Sequence, residues 1–553
     1  MLKIIPAIAA LILATPALAQ TAPSPIDPKQ IESSVRTLAS DLLEGRAPGS
    51  AGEDRTIGYL IARFQALGLE PGGPDGQWTQ PVPLLHTKLG AAKALGVSVK
   101  GKATPWNVGK DVYLSTLQPA DTVAVANAPM VFVGYGVKAP ERDWDDFKGA
   151  DLKGKVAVFL VNDPDFEAIK GDDAFDKFGG RTMTYYGRWT YKFEEAARQG
   201  AIGALIVHDT PGAGYGWNVV VSPQGENYDL VRDADKVTSL QVQGWIEGSA
   251  ATKLFADAGL DLSALRKAAR SKTFKPVPLP GATFAATFPV TREVVQSKNV
   301  LAKIPGAKRP DEIVMFGAHW DAYGKGPADA EGRIYRAGAN DDALGIAGLF
   351  EIARAIKSGP PPARSVVFAA WTAEERGLLG SESYATHPVY PPEKTVANLA
   401  LDILQTAGSA KDVILVGVGQ GTLEDDLATF AKAQGRTVTP ENLPERGLFY
   451  RADHFSMAKR GVPVLLMMGI AGAADLAQGG RAAGQAWIDS YTGKCYHQAC
   501  DAWDATWNLD GAVQDIDLML RIGSDLANGT RWPEWKPGSE FKAIRDKSAS
   551  TRK

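Results

Sequence analysis

An α/β fold built on a mixed sheet flanked by helices is predicted by two features of this 553-residue sequence. From about residue 283 onward, short apolar runs alternate with amphipathic stretches, the pattern of a sheet covered by helices. Histidines and carboxylates stand near the ends of those runs, where open α/β sheets gather function. Composition agrees, because 45% hydrophobic and 22% charged residues suit large cores and more than one domain.

The first element is a targeting signal over residues 1–19. Lys3 supplies a positive start, residues 4–13 are mostly apolar, and Ala17-Leu18-Ala19 is a small-x-small cleavage site. The apolar run is too short for a comfortable membrane span, and no cysteine follows the cleavage site. The mature chain is therefore expected to be exported, periplasmic or extracellular, after cleavage near Ala19, with no stable membrane insertion. Helical periodicity over 31–42 and 54–67 opens the main domain, whose N-terminal part is assigned to 27–118. Gly and Pro punctuate 75–117, which reads as irregular or short β structure.

A β-rich module is assigned to 119–270, with strands at 130–134, 156–161, 202–207 and 237–242 and a helix at 193–199. The main domain resumes over 285–545, with strands at 312–318, 365–371, 396–404, 413–418 and 462–468. Its helices are expected at 343–357, 378–387 and 422–434, the first stopped by Pro360-Pro361-Pro362.

The net charge of -3 and pI near 6.2 leave no basic patch, which argues against nucleic acid as a partner. Only Cys495 and Cys500 are present, and in an exported protein two such neighbours are expected to pair. The loop they close is small, so its use is geometric rather than entropic; it contains Tyr496 and His497.

Five stretches carry metal-ligand chemistry: His319-Trp320-Asp321, Asn340-Asp341-Asp342, Glu374-Glu375, Asp402 and Tyr496-His497. Two imidazoles and three carboxylates of this kind suit a pair of divalent ions, zinc foremost. Asp321 is placed to orient the His319 ring through its second nitrogen. Asp341 precedes a helix and can bridge two metals; Asp342 is either an alternative ligand or a favourable charge at the helix start. In the acidic pair, Glu375 is assigned as ligand and Glu374 as the base that takes a proton from an activated water.

Six histidines compete for these roles. His86 and His387 are expected in loops, beside Pro or Thr and without carboxylate company, and His208 ends a strand of the β-rich module and reads as structural. His454, in Arg451-Ala452-Asp453-His454, and His497 both remain candidates for the last ligand.

Residues 317–321, 338–343, 372–381 and 495–501 together closely resemble the motifs of the secreted bacterial di-zinc aminopeptidases, relatives of glutamate carboxypeptidase and the transferrin receptor. The likeness is strong over about 295–515 and weaker over 31–67. It implies a zinc-exopeptidase fold of the phosphorylase/hydrolase-like type. It also implies one zinc on His319, Asp341 and Asp402 and another on Asp341, Glu375 and His497. Glu374 becomes the general base, Tyr496 a donor to the tetrahedral intermediate, and Cys495–Cys500 a disulfide. Arg451, Asp453 and His454 move to the substrate pocket. Phe132 to Val137 and Trp144-Asp145-Asp146-Phe147 resemble an inserted, non-catalytic protease-associated domain. Leu344 and Ala400 depart from the usual pattern without removing a ligand.

The function so implied is an exported zinc-dependent aminopeptidase acting on peptides. Its alternatives are a single-zinc glutaminyl cyclase-like enzyme, a carboxypeptidase needing a cationic pocket, and a non-catalytic receptor-like relative.

Overall fold

A computed structural model describes residues 24–233 and 237–552; the targeting signal expected over 1–19 lies outside the described residues. The strands of the main sheet are β1 (Thr79–Leu89), β2 (Val277–Ile304), β3 (Arg309–His319), β4 (Arg364–Trp371), β5 (Thr395–Leu401) and β6 (Val464–Met467). Spatially the order is β6-β5-β3-β4-β2-β1. The first four of these run parallel, and β2 is antiparallel to both β4 and β1. The sheet is therefore mixed, as expected.

Burial on both faces explains why the central strands are apolar throughout rather than alternating. All eight residues of β4 and all seven of β5 are buried. Successive side chains still diverge to opposite layers. Val314, Phe316 and Ala318 of β3 meet Val366, Phe368 and Ala370 of β4 in one core. That core is covered by the helices α1 (Pro28–Leu38), α2 (Ala51–Ala66), α3 (Leu344–Lys357) and α4 (Asp510–Asn528). Ile313, Met315, Val367, Ala369 and Trp371 point into the other core, with Tyr384, Phe455 and Met457. Because β3, β4, β5 and β6 are parallel, their carboxyl ends share one edge, and His319, Glu374 and Asp402 follow from that geometry.

The 28-residue β2 joins two sheets. Its start pairs with Ala94–Val99 and Thr122–Phe132 in a second sheet, and its end pairs with β1 and β4. The second sheet continues through parallel strands Val156–Leu160, Gly203–Val207 and Val242–Ile246 to antiparallel Val112–Ser115. It thus begins before residue 119 and uses β2 beyond residue 270. In return, Glu226–Leu230 leaves the module and pairs with β1 in the main sheet.

Two local expectations are corrected. The strand expected over 237–242 instead occupies Val242–Ile246, across Gly244. A side chain there would begin 2.0 Å from the Tyr113 carbonyl oxygen, so the glycine marks a close backbone approach inside a strand. The 75–117 segment holds the 11-residue β1, which Pro81 and Pro83 disguise. Neither proline has an N–H to donate, yet both keep register opposite Lys298 and Gln296.

Arg46 ties the N-terminal helices to the functional edge. Fully buried, it donates to the carbonyl oxygens of Trp320 at 2.6 Å, Leu38 at 2.7 Å, Ala337 at 2.5 Å and Gly338 at 2.9 Å. Arg46→Met strands those buried acceptors. It is expected to lower unfolding free energy by at least about 3 kcal/mol, read as a reduced urea midpoint with the same slope.

Candidate active site and metal centre

The 317–321 and 338–343 segments meet because β3 ends at His319 and the turn before α3 folds over that end. Asp341 carries its two oxygens to two different histidines: Oδ1 lies 3.0 Å from His319 Nε2 and Oδ2 lies 3.5 Å from His497 Nε2. Glu375 Oε2 approaches the same His497 nitrogen at 3.1 Å, and Asp402 Oδ1 lies 3.9 Å from His319 Nε2. The five residues expected as metal ligands are therefore brought to one place. Glu374 Oε2 stands 4.0 Å from His319 Nε2, and its carboxylate has no side-chain hydrogen bond among the described residues.

Asp342 also places an oxygen in a group with His319 and Asp402, whereas Asp341 groups with Glu375 and His497. Hydrogen bonding separates the two neighbours. Asp342 Oδ1 accepts the Gly345 N–H at 2.9 Å and Oδ2 accepts the His319 N–H at 3.3 Å. Both its oxygens are thus engaged by backbone, at the start of α3, while those of Asp341 face imidazole nitrogens.

Asp321 sits beside His319 as expected, but the closest contact is through a different atom. His319 Nδ1 lies 3.1 Å from the Asp321 carbonyl oxygen and 3.7 Å from its carboxylate. The carboxylate instead accepts the Glu374 N–H at 2.9 Å, so Asp321 positions both the ring and the acid.

The charge balance explains why such a cluster needs a cation. Burial pushes the Glu374 and Glu375 carboxyls well above the usual range, with Asp402 adding to the first and Asp341 to the second. Burial and Asp341 push Asp402 up to about 8. For Asp341, burial is outweighed by the hydrogen bond and charge of His319 and by His497, leaving it below the usual value. Burial pushes His497 down to about 3, despite Asp341. His497 is thus neutral, while His319, despite its burial, is held well above its usual value by Glu374, Asp321 and Asp341 and carries the charge that offsets these acids; imidazole nitrogens beside closely spaced carboxylates are the donors divalent zinc takes. The buried Asp402 Oδ1 has no hydrogen-bond partner, as a ligand atom awaiting a cation would not. The donor set fits zinc, with His319 and Asp402 on one side of Asp341 and Glu375 and His497 on the other.

Several residues that hold this geometry were not singled out by sequence. Asp501 Oδ1 accepts the Asn340 N–H at 3.0 Å, and Oδ2 accepts the Asp341 N–H at 3.1 Å and the Tyr491 hydroxyl at 3.0 Å. Its place directly after Cys500 was the available signal. Tyr323 packs 4.6 Å from the His497 ring and donates to the Glu375 carbonyl at 3.3 Å. Ala373, Ile403 and His497 are non-glycine residues held at φ of 51°, 52° and 62°, strain of a kind that collects at functional sites.

Cys495 and Cys500 are disulfide-bonded. Tyr496, within that loop, has its hydroxyl 3.1 Å from Arg451 Nη2, which donates to it. Burial raises the Tyr496 phenol above its ordinary range although Arg451 opposes this, so it remains a proton donor. Arg451, Glu374, Glu375, Asp402, Tyr496 and His497 all line a cavity of about 380 Å³.

Of the other expected pocket residues, Asp453 is buried and raises the Glu374 and Asp402 carboxyls electrostatically. His454 does not line the cavity. It is fully buried, 5.2 Å from the Phe449 ring, and burial pushes it down to about 3. Its apolar neighbours, invisible locally, turn it inward. His86 is also corrected, since it lies in β1 with Glu293 at 3.0 Å across the strand pair. His208 is buried beside the Tyr215 carbonyl at 3.0 Å.

Residues 299–520 match the profile of peptidase family M28. Leupeptin-inactivating enzyme 1 of Streptomyces exfoliatus is 29% identical over 275 residues, which is 47% of this chain and 56% of that protein. Aminopeptidase NAALADL1 of Mus musculus is 38% identical over 117 residues, covering 20% of this chain and 14% of that protein. The chain thus spans little over half, or far less, of these relatives. An aminopeptidase structure from Aneurinibacillus sp. strain AM-1 shares the fold, with 20% identity, TM-score 0.52 and coverage of 93% and 95% of the two chains.

The disulfide loop closes only five residues of separation, so its expected contribution to stability is at most about 2 kcal/mol. Cys495→Ser with Cys500→Ser should shift the thermal midpoint little yet weaken zinc binding clearly in a chelator competition, because His497 loses its brace.

Proposed function

We propose, with residues 299–520 a peptidase family M28 domain, that this protein is a zinc-dependent exopeptidase and acts as an aminopeptidase on peptides. The observation that carries the reading is the divided Asp341 carboxylate, one oxygen toward His319 and the other toward His497, beside an unengaged Glu374. His319, Asp341 and Asp402 would hold one ion, and Asp341, Glu375 and His497 the other. The pair would supply Lewis acidity and lower the pKa of a water.

The chain's own groups then divide the work. Glu374 takes a proton from the attacking water and passes it to the leaving amine. The Tyr496 phenol donates to the oxygen of the scissile carbonyl, where negative charge grows. Arg451, bonded to that phenol, keeps it aimed. Asp453 and Asp402 supply negative charge for a substrate amino group. Met130 to Phe132 and the strands after them form a protease-associated module in this reading, which walls the cavity with Tyr113, Trp189, Tyr215 and Trp245. The pattern over residues 1–19 and the cysteine pair support export. Among the described residues no helix is long and apolar enough to cross a membrane.

Zinc-reconstituted protein is expected to hold two equivalents per chain by elemental analysis. A firm value of one refutes the paired site and favours the cyclase-like alternative. Glu374→Gln should keep both ions and peptide affinity while turnover falls by about a hundredfold to ten-thousandfold. Glu375→Gln should instead lose an ion, because a neutral amide is a poorer ligand. Turnover of Glu374→Gln at the wild-type rate excludes it as the base. His497→Ala should lose a metal ion, whereas His454→Ala should keep both and lose stability.

A further inference from the structure

The two histidines that face Asp341 are held in different ways. His319 has its second ring nitrogen, Nδ1, 3.1 Å from the Asp321 carbonyl oxygen. Among the described residues His497 Nδ1 is buried and has no hydrogen-bond partner. A ligating histidine is ordinarily oriented by a hydrogen bond from its second nitrogen, and His497 lacks that device. Tyr496 and Tyr323 pack against its ring at 3.8 and 4.6 Å and confine the ring plane. The position of the ring must then come from its backbone. That backbone stands at φ 62°, which a histidine keeps only where its surroundings enforce it.

The disulfide closes the loop on one side of His497, and the β-rich module meets it on the other. Ser222 follows the short helix Trp217–Val220, whose Val219 and Val220 line the cavity. Ser222 is buried, and its hydroxyl oxygen accepts from Gln498 Nε2 at 2.8 Å. The hydroxyl proton is shared between the carbonyl oxygens of His497 and Asn218, each at 3.3 Å. The Ser222 carbonyl in turn accepts from Arg336 Nη1 at 2.6 Å. Arg336 immediately precedes Ala337 and Gly338, the segment that leads to Asp341. One residue of the module therefore ties together the two loops that carry Asp341 and His497.

We propose that Ser222 is a positioning residue for the metal centre. By clamping the backbone of His497 and Gln498 it sets how tightly the ion on Asp341, Glu375 and His497 is held. The module then completes the centre as well as walling the cavity. The proposal rests on the paired-metal reading above and adds a residue outside the ligand set. His319 and Asp402 make no contact with Ser222, and His319 has its own support in Asp321, so the other ion is independent of the clamp. Loss of the groups that orient a ligating histidine costs about tenfold to a hundredfold in metal affinity.

The test is competition with a chromophoric zinc chelator, on the zinc-reconstituted full-length protein and on Ser222→Ala, Ser222→Thr and Gln498→Met. In Ser222→Ala one of the two equivalents should bind about tenfold to a hundredfold more weakly, while the other keeps its wild-type affinity. Ser222→Thr keeps the hydroxyl and should restore part of the loss. Gln498→Met should weaken the same equivalent, and its combination with Ser222→Ala should cost less than the two losses added, because both remove one shared hydrogen bond. Wild-type affinity for both equivalents in Ser222→Ala overturns the clamp. Equal weakening of both also overturns it, since that is a general loosening of the fold. If the wild type holds a single equivalent, the paired-metal reading falls by itself. Histidine-selective NMR of the zinc-loaded protein then decides the clamp. The His497 ring signals, identified by their absence from His497→Ala, should shift or broaden in Ser222→Ala while those of His319 stay in place. Unchanged His497 signals overturn the proposal.

Discussion

Mutual repulsion among buried carboxylates is the constraint on which this structure depends. Asp341, Asp402, Glu374 and Glu375 converge on two imidazoles at one sheet edge, and Asp321, Asp453 and Asp501 stand directly behind them. Such an arrangement opposes folding by itself, because burying charge without compensation is costly. The scaffold answers with directed hydrogen bonds: Asp501 to the Asn340 and Asp341 amides, Asp342 to the His319 and Gly345 amides, and Asp321 to the Glu374 amide. Asp342, Asp501 and one oxygen of Asp321 are thus engaged by backbone, whereas Asp453 Oδ1 and Asp402 Oδ1 are buried without a hydrogen-bond partner.

The same principle governs the backbone around the centre. Arg46 gathers four carbonyl oxygens, from Leu38 at the end of α1, from Trp320 just after β3, and from Ala337 and Gly338 just before Asp341. Ala373, Ile403 and His497 accept left-handed conformations that each cost about 1 kcal/mol or more, and the surrounding packing holds them there. Rigid strand ends, rather than long loops, therefore set the positions of His319, Glu374 and Asp402.

The second sheet enters the functional region through two covalent routes. The long β2 runs continuously from one sheet into the other, and Glu226–Leu230 returns to pair with β1. Between these attachments the module presents Arg188, Tyr215 and Trp245 to the cavity. Ser222 also reaches the disulfide loop, donating to the His497 carbonyl at 3.3 Å and accepting from Gln498 at 2.8 Å. Substrate access and the posture of His497 are thus physically linked to residues distant in sequence.

Much of the fold was legible because period and run length are local. The apolar runs ending at His319 and near Glu374 and Asp402 read as buried strands with acidic and imidazole residues at their ends, and their parallel pairing in the structure brings those ends together. By itself the sequence determined the mixed sheet, its helical layers and the residue types at the centre. Tertiary structure decided what depends on partners far along the chain. It turned His454 inward and His497 toward Asp341, separated Asp341 from Asp342 by what each carboxylate accepts, and moved the His319 contact to the Asp321 carbonyl. It also hid β1 behind two prolines, because a strand's pairing lies in its neighbours.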